Sequence, residues 1–473
     1  MIRKSIRLLL CAFALAPGVA AAQAPQLRIE PYAFRLADGS DLAAERGTFS
    51  VPEDRADPRS RRIEIGFVRF RSTNPNPGAP IVYLAGGPGG SGVATARGPR
   101  QPIFLALRQV ADVIALDQRG VGLSNHIPPC TARRRLDPSL VLSEATLSAY
   151  HAETFRDCVG RWRAAGVAVG GYDTEQSADD LEDLRRALGV PRIDLWGISY
   201  GTHLAFAAMR RHPRSIGRVA LASAEGMDQS VKLPSAVEAV FGRMDAATGA
   251  PISALMRRVF ARFDAAPQSF AFTAPDGTSH GFRTDSFPLR MMAGIVPKNP
   301  DGIPQLAGAF AALDAGQTAP IAPMIWDFFY RAPLVMDGMP QLIDVASGTT
   351  ARRLALVRRQ ARTALTGVAI NFPMPQLVGL VPRLDLGDRF RREIRSAHPV
   401  LLFSGDLDVR TPLEEQAAAT AGLSRLHRIL VRNGGHDLFE AHPDVPGLLV
   451  AFFSGRPVTV TELNLPPPRL PPL

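Results

Sequence analysis

The sequence predicts an α/β fold with a mostly parallel, doubly wound sheet and a large, mostly helical insertion. Three observations support this prediction. Short apolar segments alternate with helical stretches up to about residue 226. Strand signals then become sparse until about residue 395, after which apolar strands resume at Val400. A G-x-S-x-G pentapeptide, Gly197–Gly201, lies between an apolar strand and a helix.

The first part of the chain supplies most of the predicted sheet. Residues 27–71 predict an antiparallel entry, within which Ile63–Val68 alternates loosely at period two. A capping-box-like Ser177 predicts a helix that ends at Leu188, before Gly189. The predicted buried strands are Ile81–Leu84, Val113–Leu116, Ile193–Trp196 and Val219–Ala222.

The later part contains the insertion and the remaining strands. Helices are expected at 236–247, 252–263 and 352–365, and strands at Val400–Phe403 and Arg428–Val431. The proline-rich end is expected to be extended or loose. The predicted organisation is a signal peptide over 1–22, a first core part over 23–226, a lid over 227–395, a second core part over 396–456 and a tail over 457–473.

Ser199, at the centre of the pentapeptide, is the candidate nucleophile. A sharp strand-to-helix turn lifts its hydroxyl above the sheet edge, and the crowded backbone there requires small neighbours. The following helix N-terminus brings amide donors and partial positive charge to a developing oxyanion. An ordinary strand-to-helix turn is the alternative interpretation of the pentapeptide alone.

The candidate partners of Ser199 follow the two resumed strands, in the order acid then histidine that this arrangement requires. His436 lies after Asn433-Gly434-Gly435 and would exchange the proton of Ser199. Asp408 would orient His436, and Asp406 is the rival acid. Strand ends of an open α/β sheet are where such sites are built.

Two backbone amides are needed to stabilise the oxyanion. Tyr200 follows the nucleophile directly and is one candidate donor. The glycine-rich loop 85–92 follows a predicted strand, and Gly87 is the candidate second donor. No G-K-[ST] sequence follows this loop, which argues against a phosphate-binding loop.

Composition limits the classes of function. The chain has 473 residues and a net charge of +10, but its arginines are scattered, without the long basic run expected for nucleic-acid binding. Charged, apolar and A-x-A regions over residues 1–22 predict a secretory signal, too short in its apolar part for a membrane span. The expected location is periplasmic or secreted, with no integral membrane segment after removal of the signal.

Cys130 and Cys158 are the cysteines left after removal of the predicted signal. In an exported chain they most simply form one disulfide, and two unpaired thiols are the alternative. Cysteine and histidine spacing shows no metal-ligand pattern, so no metal site is predicted.

Three segments together resemble the proline iminopeptidase and tripeptidyl aminopeptidase family of α/β-hydrolases: 84–90 (LAGGPGG), 117–124 (DQRGVGLS) and 197–201 (GISYG). Segment 405–412 (GDLDVRTP) is similar to the catalytic segment of the tripeptidyl aminopeptidase branch and favours Asp408 over Asp406. The resemblance covers about residues 45–226 and 395–445. In this branch a cysteine pair occurs where Cys130 and Cys158 lie.

The resemblance implies a serine hydrolase without a cofactor that removes N-terminal residues from short peptides. It also implies that segment 117–124 braces the oxyanion loop through buried charge, and that Asp117 and Arg119 are structural before they are catalytic. Ala85 departs from the family, whose loop usually opens with histidine. Family lids supply acidic groups for the substrate amine; Glu225 and Glu238 are the candidates, with solvated surface glutamates as the alternative.

Three functions are therefore considered. The first is an exopeptidase that hydrolyses small peptides through an acyl-enzyme. The second is a carboxylesterase or other acyl hydrolase with the same three side chains. The third is a non-catalytic binding protein on a hydrolase scaffold. The expected partner is a small peptide or ester substrate.

Overall fold

The computed structural model describes residues 26–470. The strands in this part of the chain are β1 (Leu27–Arg35), β2 (Asp41–Pro52), β3 (Arg62–Phe70), β4 (Ile81–Leu84), β5 (Val113–Leu116), β6 (Cys130–Thr131), β7 (Val141–Leu142), β8 (Ile193–Ile198), β9 (Ile216–Ala222), β10 (Gln268–Thr273), β11 (Ser279–Thr284), β12 (Val335–Met336), β13 (Val400–Gly405), β14 (Leu426–Arg432) and β15 (Glu462–Asn464). The helices are α1 (Gly92–Arg97), α2 (Gln101–Leu107), α3 (Glu144–Ala164), α4 (Thr174–Ala187), α5 (Tyr200–Arg211), α6 (Pro234–Thr248), α7 (Ile252–Ala265), α8 (Phe287–Ala293), α9 (Ile303–Asp314), α10 (Ala322–Phe329), α11 (Met339–Ser347), α12 (Ala351–Ala361), α13 (Met374–Leu377), α14 (Gly387–Phe390), α15 (Leu413–Thr420) and α16 (Val445–Phe453). The predicted signal segment lies outside the described residues.

The main sheet has the strand order β1-β2-β3-β5-β4-β8-β9-β13-β14-β15 within the described residues. Its first strands pair antiparallel, including β3 with β5. All pairs from β5 to β15 are parallel. The predicted α/β fold with an antiparallel entry and a mostly parallel sheet is therefore confirmed.

Both faces of the parallel strands are covered, which explains their continuous apolar sequences. β4, β5, β8 and β13 are buried along their whole length. Val82 and Leu84 pack into the cluster that contains α3, α4 and α5 side chains. Ile81 and Tyr83 point to the other face, into the cluster with α2 and α16.

Helix α4 begins at Thr174, three residues before the predicted start at Ser177. Asp173 is the N-cap, and its carboxylate accepts a hydrogen bond of 2.8 Å from the Gln176 amide. The Ser177 hydroxyl instead donates to the Asp173 carbonyl at 3.0 Å, as an interior helical serine does. The prediction was wrong because both residue types favour the N-cap position.

The segment between β9 and β13 is mostly helical but also contains a hairpin, β10–β11, that the sequence analysis missed. An Asp276-Gly277 turn joins its strands, with Gly277 at φ 85°. β11 pairs with β7 in parallel, and β12 pairs with β6 in antiparallel fashion. The insertion is therefore attached to the core by backbone hydrogen bonds. The proline-rich end likewise adds β15 to the sheet edge. The domain boundaries themselves stay a prediction.

Cys130 in β6 and Cys158 in α3 form a disulfide rather than two free thiols. It closes a loop with a sequence separation of 28 residues. Removing it by a Cys130→Ala, Cys158→Ala double substitution should lower the free energy of unfolding by about 3 kcal/mol, because the unfolded chain gains loop entropy. Urea unfolding of the wild type and the double variant, each with and without dithiothreitol, measures this difference. If dithiothreitol lowers the stability of the double variant as much as that of the wild type, the prediction is contradicted.

Asp194 in β8 is a buried carboxylate that should make stability depend on pH. Burial raises its pKa to about 7, although its Oδ1 accepts a 2.6 Å hydrogen bond from the Arg218 amide. The folded state therefore holds the proton more tightly than the unfolded chain, whose pKa is about 3.9. Stability is then lost as the pH rises from about 4 through 7.

Asp194→Asn keeps the acceptor oxygen and removes the ionisation. Relative to this variant, the wild type should lose about 2.5 kcal/mol of unfolding free energy between pH 5 and pH 8. Urea titrations at several pH values measure the difference. The exposed Asp327→Asn is the control, and a parallel pH dependence of Asp194→Asn and wild type would contradict the prediction.

Candidate active site

Ser199 occupies the sharp turn between β8 and α5 that the pentapeptide predicts. Its backbone has φ 55° and ψ −128°, a conformation that L-residues rarely adopt. A Cβ at Gly197 would lie 2.8 Å from the Gly201 carbonyl oxygen, and one at Gly201 would lie 2.1 Å from the Leu84 carbonyl oxygen. The two glycines are therefore required by close backbone packing around the serine.

His436 and Asp408 meet at the carboxyl ends of β14 and β13. His436 Nδ1 lies 2.9 Å from Oδ2 and 3.0 Å from Oδ1 of Asp408. Because Nδ1 faces the carboxylate, Nε2 is the nitrogen left to exchange a proton. The His436 backbone is fixed as well: its amide donates to the Lys298 carbonyl at 2.9 Å, and its carbonyl accepts from the Ser223 hydroxyl at 2.7 Å.

Asp408 is fully buried, yet its environment favours the charged form. Burial raises its pKa, but the attraction to His436 and the hydrogen bonds from His436 and Thr411 outweigh it and hold the pKa of Asp408 below its usual value. The Thr411 hydroxyl donates to Oδ2 at 2.5 Å, and the Arg410 and Thr411 amides donate to Oδ1 at 2.8 and 3.0 Å.

The rival Asp406 lies elsewhere. Its carboxylate is 3.8 Å from Arg432, and burial raises its pKa. Its carbonyl accepts from Arg243 Nε at 2.6 Å. In the described structure the carboxylate that contacts His436 is that of Asp408.

The glycine-rich loop after β4 packs directly on the nucleophile. A Cβ at Gly86 would lie 3.0 Å from Cβ of Ser199 and 3.6 Å from its Oγ. Gly87 has φ 119° and lines the same cavity as Ser199. Tyr200 is the first residue of α5, where the leading amides have no partner within the helix. Gly87 therefore shares the cavity with Ser199, and Tyr200 follows Ser199 directly in the chain.

Asp117 holds this loop, as the resemblance implied. Its Oδ1 accepts from the Ser91 hydroxyl at 2.6 Å and the Val93 amide at 3.1 Å, just beyond the glycines. Gln118 Nε2 donates to the Ala85 carbonyl at 3.2 Å.

Arg119 has a different structural task. It is fully buried and donates to Asp180 in α4 at 2.7 and 2.8 Å and to the Glu53 carbonyl at 2.7 Å. It therefore joins α4 to the end of β2. None of these bonds reaches the oxyanion loop: within segment 117–124, Asp117 and Gln118 hold that loop, whereas the role of Arg119 is structural, as expected.

A cavity of about 410 Å³ contains the candidate site. Ser199, His436 and the glycine-rich loop form one side, and this volume suits a small ligand. The remaining lining is strongly charged, with the cations Arg100, Lys232, Lys298 and Arg410 and the acids Glu225 and Asp437. Among these residues only Glu225 was a candidate binding residue from the sequence, although Arg410 stands two residues from Asp408 and was a readable signal.

Glu225 lines the cavity, but its charge is already paired. Lys232 Nζ lies 2.9 Å from Glu225 Oε2, and the Ser230 hydroxyl donates to Oε1 at 3.2 Å. Burial raises the pKa of Glu225, but attraction to Lys232 and the buried His203 outweighs it and leaves the pKa below the usual value. The other candidate, Glu238, pairs with Arg257 in the insertion and is not among the cavity-lining residues.

Within residues 26–470, no group of three or more His, Cys, Asp or Glu side chains is arranged to hold a metal ion. No helix in the same part of the chain combines the length and the apolar character that crossing a membrane requires.

Comparison with known proteins gives relatives at modest identity. The chain is 28% identical to serine protease Hip1 of Mycobacterium tuberculosis over 177 residues, or 36% of this chain and 34% of the relative. It is 29% identical to tripeptidyl aminopeptidase of Streptomyces lividans over 190 residues, or 37% of this chain and 34% of the relative. The chain thus spans about a third of the length of these curated relatives.

A solved structure of a thermophilic esterase from Thermogutta terrifontis aligns over 86% of this chain and 98% of its own, at 18% identity and a TM-score of 0.36. The alpha/beta hydrolase fold family matches residues 79–443, which is most of the chain and includes all three candidate catalytic side chains. The chain therefore belongs to the α/β-hydrolase fold family.

Proposed function

We propose that this protein is an exported serine hydrolase that releases N-terminal residues or short peptides through an acyl-enzyme on Ser199. The observation that carries the proposal is the contact of His436 Nδ1 with both Asp408 oxygens, in a site where His436 and Ser199 line one cavity. The names of the two curated relatives, a serine protease and a tripeptidyl aminopeptidase, favour peptide substrates.

The proposed reaction uses each group once in each half-cycle. Ser199 Oγ attacks the carbonyl carbon and passes its proton to His436 Nε2, while Asp408 stabilises the imidazolium. The Gly87 and Tyr200 amides stabilise the oxyanion. His436 gives the proton to the leaving amine as the C–N bond breaks. Water then attacks the acyl carbon and passes a proton to His436; the bond from that carbon to Ser199 Oγ breaks, and His436 returns the proton to Oγ.

Export is proposed from the disulfide between Cys130 and Cys158 together with the signal-like sequence of residues 1–22. Disulfides persist in oxidising compartments and are rare in the cytosol. Fractionation of expressing cells, with N-terminal sequencing of the mature protein, tests this proposal. A full-length cytosolic product with reduced cysteines would contradict it.

The second candidate is a carboxylesterase or related acyl hydrolase, and one observation favours it. The carboxylate that would receive a substrate ammonium, Glu225, is already bound by Lys232 of the same chain. A free amine would have to displace or share that ion pair. An ester without an amine would not.

A fluorophosphonate probe, with the labelled residue identified by mass spectrometry, tests the nucleophile. A panel of aminoacyl and tripeptidyl amides, their N-acetylated forms and short-chain esters tests the substrate class. Selective cleavage of free-amine peptides would support the aminopeptidase. Turnover of esters alone would replace it with the second candidate, and absence of labelling at Ser199 would overturn both.

A further inference from the structure

The cations that line the cavity differ in whether a carboxylate of the protein neutralises them. Arg100 lies 2.7 Å from Glu440, and Lys298 lies 2.8 Å from Asp437. Lys232 is paired with Glu225 as described. Three of the four positive charges are therefore compensated within the structure.

Arg410 is the exception. Its Nη1 donates to the Gly294 carbonyl at 3.3 Å, and its side chain forms no ion pair with any carboxylate of residues 26–470. It is half-buried and lines the same cavity as Ser199. A guanidinium carries five N–H donors in a planar fork that matches a carboxylate, so most of its hydrogen-bonding capacity is available to a ligand.

Asp344 is an acid close enough to Arg410 for the two charges to interact, although the two side chains form no ion pair. Burial, and then the charge of Glu225, raise its pKa to about 7, despite the opposing effects of Lys232 and Arg410. Near neutral pH Asp344 is therefore only partly ionised and does not fully offset the guanidinium. The cavity keeps an excess of positive charge beside the candidate nucleophile.

We propose that Arg410 is a specificity-determining residue that binds a carboxylate of the substrate, so that this enzyme prefers short acyl compounds or peptides carrying a negative charge. The inference rests on the proposed function for its meaning in catalysis. The carboxylate can be the C-terminus of a short peptide or an acidic side chain; both present the same group to the guanidinium, and the experiment separates them.

The position of Arg410 in the chain makes this assignment testable. The backbone amide of Arg410, not its side chain, donates to Asp408. Any substitution other than proline therefore keeps the hydrogen bond from residue 410 to the Asp408 carboxylate. Arg410→Gln removes the charge and Arg410→Lys retains it without the bidentate fork. Arg359→Gln removes one charge at an exposed position of α12 that is not part of the cavity lining, and it is the matched control.

Binding is measured first on a Ser199→Ala background, where turnover does not contribute. The probes are trialanine, trialanine amide and an amidated tripeptide with a central aspartate, each titrated by calorimetry. We expect at least one of the two probes that carry a carboxylate, trialanine or the aspartyl tripeptide amide, to bind about tenfold or more tightly than trialanine amide. Arg410→Gln should bring that ratio close to one, Arg410→Lys should keep part of it, and Arg359→Gln should not change it.

The pattern among the probes identifies the source of the carboxylate: preference for trialanine indicates the C-terminus, and preference for the aspartyl amide indicates a side chain. Equal binding of all three probes, or a ratio that Arg410→Gln leaves unchanged, would overturn the inference. Because binding needs no turnover, such a failure is distinct from failure of the proposed function, which fluorophosphonate labelling of Ser199 reports separately.

Discussion

Replacing Ser199 by alanine should reduce kcat at least about 10⁴-fold, because no other group can form the acyl-enzyme and the remaining sites only bind and polarise the substrate. The folded structure should persist, since alanine keeps the Cβ and loses only the hydroxyl. Steady-state hydrolysis of the preferred substrate measures the loss, with circular dichroism to verify folding. Ser139→Ala, in an exposed loop, is the control.

A second substitution separates strain from chemistry at the same position. Ser199 holds φ 55°, which glycine adopts without a Cβ penalty. We expect Ser199→Gly to be as inactive as the alanine variant but more stable than it by about 1 kcal/mol. Equal urea midpoints for the two variants would contradict backbone strain in the turn at Ser199. Residual activity above about a hundredth of the wild-type activity would contradict the assignment of Ser199 as the nucleophile.

Asp408→Asn should lower kcat by about 10³- to 10⁴-fold. An amide is neutral, so it cannot stabilise the imidazolium of His436 and can hold the ring in the wrong tautomer. The carboxylate is charged across the neutral range because its pKa lies below the usual value. Stopped or continuous assays across pH 5 to 9 measure the loss, which should persist at every pH.

Asp406→Asn provides a matched control two residues away in the same loop. Asp406 contacts Arg432 rather than His436, so we expect less than about a tenfold change in kcat. Equal losses in both variants would show that the loop's fold, not the Asp408 charge, carries the effect. A larger loss for Asp406→Asn would reverse the assignment of the acid.

Features of this molecule differ in how visible they are in the sequence. The turn that carries Ser199 depends only on neighbouring residues. The pentapeptide Gly197–Gly201 stands between an apolar strand and a helix, and its close backbone packing follows from that order. The hairpin β10–β11 was missed despite its Asp276-Gly277 turn because the surrounding segment was interpreted as helical. The start of α4 was misplaced because two residues that favour the N-cap, Asp173 and Ser177, lie four positions apart.

The charge distribution of the cavity was beyond sequence-based prediction. Arg100 and Glu440 are 340 positions apart, and the Lys232–Glu225 pair forms because both side chains turn inward from a loop after β9. Composition records such residues only as a net charge of +10. Which of the four cations lacks a carboxylate partner among residues 26–470 depends on every neighbour in space, so the uncompensated charge of Arg410 could be recognised only when all four were placed.

By itself, the sequence determined the layering of the fold, the identity of the turn that carries Ser199 and the strand ends at which an acid and a histidine had to follow. Local backbone geometry and the period of buried strands dictate these features. Segment 405–412 already favoured Asp408 over Asp406, and the folded structure places the Asp408 carboxylate against His436. That Arg119 binds α4 and that Lys232 holds Glu225 became visible only in the folded structure. The direction in which a loop side chain points is fixed only when distant segments pack together. The same is true of the partner that compensates a buried charge.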